Sequence, residues 1–205
     1  SQHPAIDLAA AELVRYLGQM AGDPEAAAVV TDLPPGSAAI ELGLAGDLGV
    51  TMEGLRDARL DDAVHVDVRG SQGVIAGSNP RSVLFATYRF LEECGCRWIR
   101  PGKDGDYVPS RCVHDLSSQV SDRAFYRFRG NNNCGAYSLD QMLDKIAWAP
   151  KVGLNTFFNE FFLPRGIYNQ YYGREYPSLK NSEPRCDEEI RAYHEMSVRE
   201  IKRRG

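Results

Sequence analysis

Over the first twenty residues, the apolar positions Ile6, Ala9, Leu13, Leu17 and Met20 recur at helical spacing, and Gly22 follows where a left-handed cap would close the helix. The period then drops from 3.6 to 2. Residues 25–31 read as a short apolar strand, Pro34-Pro35-Gly36 as a turn, and residues 38–44 as a second strand with Ile40, Leu42 and Leu44 in alternation. Val64, Val66 and Val68 alternate with His65, Asp67 and Arg69, the pattern of a half-buried strand. Its hairpin partner is Val74-Ile75-Ala76, across a turn at residues 70–73. Asn79-Pro80 starts a helix as N-cap and first helical residue, Leu84, Tyr88, Leu91 and Cys94 form its apolar stripe, and Gly95 stops it before Trp98-Ile99. Residues 5–116 therefore predict an α+β layer, with helices on one face of a mostly antiparallel sheet, and residues 1–120 form the first domain.

From Ser121 the pattern changes. Phe125, Tyr126 and Phe128 predict a short aromatic strand, ended by the turn-forming run Arg129-Gly130-Asn131-Asn132-Asn133. Ser138 to Gln141 has capping-box spacing and opens a helix carrying Met142, Ile146 and Ala149, which Pro150 should kink or locally disturb. Residues 154–158 form the next strand. A polar, Tyr- and Gly-rich loop follows over residues 163–186, then a helix over residues 187–204 with Ile190, Tyr193, Met196 and Ile201 on one side. Such a series begins a parallel α/β scaffold, which two strands cannot close. Residues 121–205 are thus expected to be the first two β/α units of a larger barrel that this chain leaves unfinished.

Composition narrows the function classes. The 205 residues are 43% hydrophobic and 25% charged, which suits a globular protein with a real core. Twenty-four basic against 28 acidic side chains leave a formal charge of -4, so no basic field invites nucleic acid. The one basic run, Lys202-Arg203-Arg204, reads as cations at a helix C-terminus. No stretch approaches the roughly 20 apolar residues that span a bilayer, and no membrane partner is expected. Five cysteines, Cys94, Cys96, Cys112, Cys134 and Cys186, are too few and too scattered for a disulfide scaffold, and they lack zinc-site spacing. His65 and His194 fall on polar faces as solvated histidines, and Asp104-Gly105-Asp106 is turn chemistry rather than a catalytic pair. No nucleophile-base pairing and no phosphate-cradling loop is present, so neither a metal nor a cofactor is implied.

The passage VIAGSNPRSVLFATYRFLEECGCRWIRP, residues 74–101, resembles one in the non-catalytic domain that precedes the barrel in α-glucuronidase-like and β-N-acetylhexosaminidase-like glycoside hydrolases. Val108-Pro109 follows it. Residues 124–130, AFYRFRG, then resemble the approach to the first barrel strand of those enzymes, and Lys151 to Asn155 the approach to the second. The likeness spans most of residues 60–160. It departs at Ser82, where the pattern has Gly, at Ala124, where it has Pro, and at Asn159-Glu160, where hexosaminidases often carry His and Asp. The resemblance implies an accessory α+β domain followed by the opening of a (β/α)8 barrel whose parent protein cleaves glycosidic bonds. The alternative is a non-catalytic carbohydrate-binding or architectural module.

In such a barrel the reacting groups lie at the C-terminal ends of the strands. The corresponding positions here are residues 129–133 and, after the second strand, Asn159-Glu160. Arg129 is the first candidate for substrate contact: its fork of donors suits vicinal hydroxyls or a uronate, and the resembling families place an Arg on the sugar. The competing reading pairs it with a neighbouring barrel acid. Asn133, Asn159 and Glu160 complete the substrate-binding set, although Glu160 serves equally as an ion-pair partner and Asn runs are also turn formers. Tyr168, Tyr171, Tyr172 and Tyr176 offer stacking surfaces or pack on the barrel rim. The resemblance puts the two catalytic carboxylates on later strands, so this chain should be inactive alone, carbohydrate is its expected ligand, and the incomplete barrel should favour self-association.

Overall fold

The computed structural model describes residues 3–32, 37–133, 139–159 and 186–205. They form a mixed α+β fold with four helices and a mostly antiparallel four-stranded sheet. Helix α1, Pro4–Ala21, is capped by His3, whose Nδ1 accepts from the Ala5 N–H at 3.2 Å, and is closed by Gly22 at φ 70°. Strands β1 (Ile40–Leu44), β2 (Ala63–Arg69) and β3 (Gln72–Gly77) follow, then helix α2, Pro80–Glu93, on the expected Asn79 cap, which accepts from the Ser82 N–H at 2.9 Å. The sheet order is β1-β3-β2 followed by β6, Ser117–Arg123; within it only the β1–β3 pair is parallel. Helices α1 and α2 pack on the face that carries Val66, Val68 and Ile75, and the core lies between them.

Two expectations fail in this first unit. Residues 25–31 form no strand, and Val29 and Val30 are exposed. Of that stretch only Ala27 packs against the core, and an Ala-rich segment offers too little side chain to hold a place beside β1. The fourth strand is instead the polar β6, Ser117–Arg123, which pairs with β2 over seven residues from Ala63↔Arg123 to Arg69↔Ser117. Its single apolar residue inside the ladder, Val120, sits opposite Val66. The boundary at residue 120 thus falls inside a strand, and the sheet runs to Arg123.

After the two-residue hairpin of β4 (Arg97–Trp98) and β5 (Asp106–Tyr107), the second unit contributes β7, Gly130–Asn133, helix α3, Leu139–Trp148, and β8, Thr156–Asn159. β7 and β8 pair in parallel, Gly130↔Thr156 through Asn133↔Asn159, in a sheet separate from that of Val66. The expected aromatic strand is displaced: Phe125 and Phe128 are 86% and 73% exposed, and the strand starts only at Gly130. The second strand likewise starts at Thr156 rather than at 154. Pro150 disturbs the helix locally, as expected, by ending it and not by kinking it. The helix ends at Trp148 and tightens into a 3-10 turn over Ala149–Val152, closed by Gly153 at φ 79°. Helix α4, Asp187–Arg203, packs against α3 and touches α1. None of the described helices is long and apolar enough to cross a membrane.

A buried polar chain docks the two units. Trp98 Nε1 donates to the Tyr16 hydroxyl at 2.8 Å, the hydroxyl donates to Asp106 Oδ2 at 2.6 Å, and Lys151 Nζ reaches the same oxygen at 2.9 Å. Trp148 Nε1 donates to the Trp98 carbonyl at 2.9 Å. Of the two acids around Gly105, Asp104 meets Arg100 at the surface, whereas Asp106 is an internal anchor. Tyr16→Phe keeps the ring but strands the Trp98 N–H and removes one of the two donors to Asp106 Oδ2. It should cost about 1–3 kcal/mol, measured as a lower urea midpoint at unchanged m-value.

Candidate functional site

The parallel pair β7–β8 gives the second unit two distinct ends. At the C-terminal end, the register sets Asn133 opposite Asn159, about 5 Å apart across neighbouring strands. Two of the sequence candidates are therefore brought together. Their side chains, the whole of Glu160, and the tyrosines at 168, 171, 172 and 176 lie outside the described residues. Arg129 does not join them, because it precedes β7 instead of following it. About 13 Å of extended chain separates it from the Asn133 end.

At the N-terminal end, Arg129 meets a buried carboxylate that sequence reading overlooked. Asp62, whose side chain is 2% exposed, is held on both oxygens. Its Oδ1 accepts from Arg81 Nε at 3.0 Å, Arg81 Nη2 at 2.9 Å and Asn79 Nδ2 at 3.3 Å. The single proton of the Ser82 hydroxyl lies between that oxygen, at 2.9 Å, and Asn79 Oδ1, at 3.0 Å. Its Oδ2 accepts from Arg129 Nη2 and Asn155 Nδ2, both at 2.8 Å. Ser82, the departure from the resembling passage, is thus part of the assembly.

One oxygen of Asp62 is committed to the start of α2 and the other to the approaches of β7 and β8. Arg129 adds donations to the Gly153 carbonyl at 2.7 Å and the Tyr126 carbonyl at 2.8 Å, and its backbone N–H donates to Asn155 Oδ1 at 2.8 Å. The competing reading of Arg129, an arginine paired to a nearby acid, describes its geometry. Next door, Arg127 meets Asp61 Oδ1 at 2.7 Å. This explains the displaced aromatic strand. Along 125–129 the arginines turn in toward the Asp61-Asp62 pair, and Phe125, Tyr126 and Phe128 are left outside.

Burial raises the cost of ionising Asp62, but the guanidinium of Arg81, then Arg129 and the Ser82 hydroxyl, outweigh it, and its carboxyl sits below the usual carboxylate range. Backbone N–H donors of Asp57 and Arg56 with the Arg127 side chain hold Asp61 down to about 2. With their oxygens held by guanidinium and N–H donors, neither acid is poised to take a proton. Burial pushes the Cys94 thiol up to about 11 and Cys96 to about 12, so both are inert, and Cys112 and Cys186 are free on the surface. Cys134 lies outside the described residues. His65 contacts the Ser121 hydroxyl at 2.8 Å, and partial burial lowers the His194 pKa, so both are half-buried rather than fully solvated. Among the described residues no cluster of three or more His, Cys, Asp or Glu could hold a metal.

Comparison of the chain with family models, with curated proteins and with solved structures finds no match.

Asp62→Asn keeps the shape but leaves two guanidinium groups facing a neutral amide. A loss of about 3 kcal/mol or more is expected in denaturant unfolding, the cost of breaking a buried ion pair from one side. Because both acids titrate below their unfolded values, their contribution is complete above about pH 4 and is lost as pH falls toward about 2. An acid titration of unfolding free energy should therefore be flatter in Asp62→Asn than in the natural chain.

Proposed function

We propose that this chain is the accessory α+β domain and the first two β/α units of a (β/α)8 glycosidase barrel, which acts on carbohydrate only when later strands supply the catalytic carboxylates. The observation that carries the reading is the parallel β7–β8 pair, joined through α3 and lying in its own sheet. Parallel strands linked by helical crossovers belong to barrels or doubly wound sheets, and a two-stranded pair leaves both outer edges unsatisfied. The sequence likeness of residues 74–101 and 124–130 selects the glycosidase among such scaffolds.

In this reading the sugar lies at the C-terminal end of the strands, where Asn133 and Asn159 each offer a donor and an acceptor to ring hydroxyls, with Glu160 next in the chain. Arg129, at the opposite end, is the strut that fixes the strand pair on the accessory domain. Hydrolysis itself needs two carboxylates on either side of the scissile bond, about 5–10 Å apart.

Assayed by itself, the chain should release no nitrophenol from 4-nitrophenyl glycosides; turnover that a substitution within residues 1–205 abolishes would overturn the reading. In the parent enzyme, Asn133→Ala or Asn159→Ala should lower kcat/KM by roughly tenfold, the worth of one or two hydrogen bonds to the sugar, at nearly unchanged Tm. A parent that binds oligosaccharide without cleaving it would favour the binding-module alternative.

A further inference from the structure

A cleft of about 740 Å³ opens between the second half of α2, the end of β6 and the 3-10 turn that precedes β8. It borders Arg129 and Gly153, at the N-terminal end of the β7–β8 pair, and so lies away from the end where Asn133 and Asn159 meet. Its walls are of two kinds. Ile99, Tyr107 and Val152, from three separate segments, converge on it while 78%, 56% and 41% exposed, above a floor that includes Trp98. The charged lining comprises five basic and three acidic side chains, a local cationic excess on a chain whose formal charge is -4.

The acids of the lining are already engaged. Asp62 is saturated as described, Glu92 faces Arg89 at 3.7 Å, and Asp122 accepts from the Arg123 backbone N–H at 2.7 Å. Two arginines have a different status. Arg97 donates to the Glu92 and Cys96 carbonyls and Arg123 to the Gly54 carbonyl, and among the described residues neither has a carboxylate within ion-pair distance. A guanidinium carries five N–H donors, so each keeps donors to spend and an uncompensated charge.

We propose that this cleft binds a small amphipathic monocarboxylate, its flat apolar body against Ile99, Tyr107 and Val152 and its carboxylate on Arg97 and Arg123. The volume suits a ligand of that size, apolar walls with a few fixed polar groups are the usual make-up of such sites, and guanidinium matches a carboxylate in charge and shape. The site stands apart from the proposed sugar-binding end and does not rest on the glycosidase reading. Occupying it would bridge α2, β6 and the 3-10 turn, across the same seam that Asp62 spans.

The test is calorimetric titration of the chain at pH 7 with 2-naphthoate and with its uncharged analogue 2-naphthalenemethanol. The expected result is one site with a Kd of about 1 mM or tighter for the acid, and at least about fivefold weaker binding of the alcohol. Arg123→Gln should remove the preference for the acid, and Ile99→Ser should weaken both compounds; both residues are exposed, so folding is preserved and is checked by an unchanged Tm. No binding of either compound, equal affinity for the two, or binding that survives both substitutions would overturn the proposal.

Discussion

One buried carboxylate governs how the two halves of this protein meet. Asp62 lies at the foot of β2, and its oxygens divide their partners cleanly: Arg81, Ser82 and Asn79 at the start of α2, Arg129 and Asn155 on the approaches to β7 and β8. A carboxylate removed from water must be compensated by donors on all sides. Here the compensation cannot be completed by either half alone, so the ion itself enforces the docking. The Tyr16–Asp106–Lys151 chain repeats the device with a second acid, from β5, and a second cation, from the turn before β8.

That constraint sets which residues reach the surface. Between β6 and β7 the chain passes over Asp61 and Asp62, and Arg127 and Arg129 must point down to meet them. Phe125, Tyr126 and Phe128 then have no route inward, although their apolarity favours burial. An unmet buried carboxylate costs several kcal/mol, and the segment keeps its arginines on Asp61 and Asp62 with the rings outside. The result is a run of exposed rings at the junction and a strand pair that begins later than hydrophobicity suggests.

The same geometry separates two kinds of chemistry. One end of the parallel pair is a closed ionic joint, with the arginine that looked most like a substrate ligand built into it. At the opposite end the register sets Asn133 beside Asn159. The cleft beside the joint, with apolar walls and two arginines not matched to carboxylates, is a third and separate environment. The backbone polarity of β7 and β8 thus sets Arg129 at the joint with Asp62 and the Asn133–Asn159 pairing at the opposite end of the strands.

Much of the fold was legible in the order of the residues. The caps at Asn79 and Gly22, the helical stripes of α1 and α2, the Val64-Val66-Val68 alternation and the parallel relation of the last two strands all follow from local periodicity and local hydrogen bonding, which depend on neighbours a few positions away. What lay beyond reach depends on partners far along the chain. β6 is a strand because β2 offers it a ladder, residues 25–31 are not one because nothing pairs with them, and Arg129 is a strut because Asp62, 67 residues earlier, is brought beneath it. Periodicity records which face of an element is buried; only the folded chain decides what each charge will meet there, since an ion pair requires a distance, and sequence supplies none.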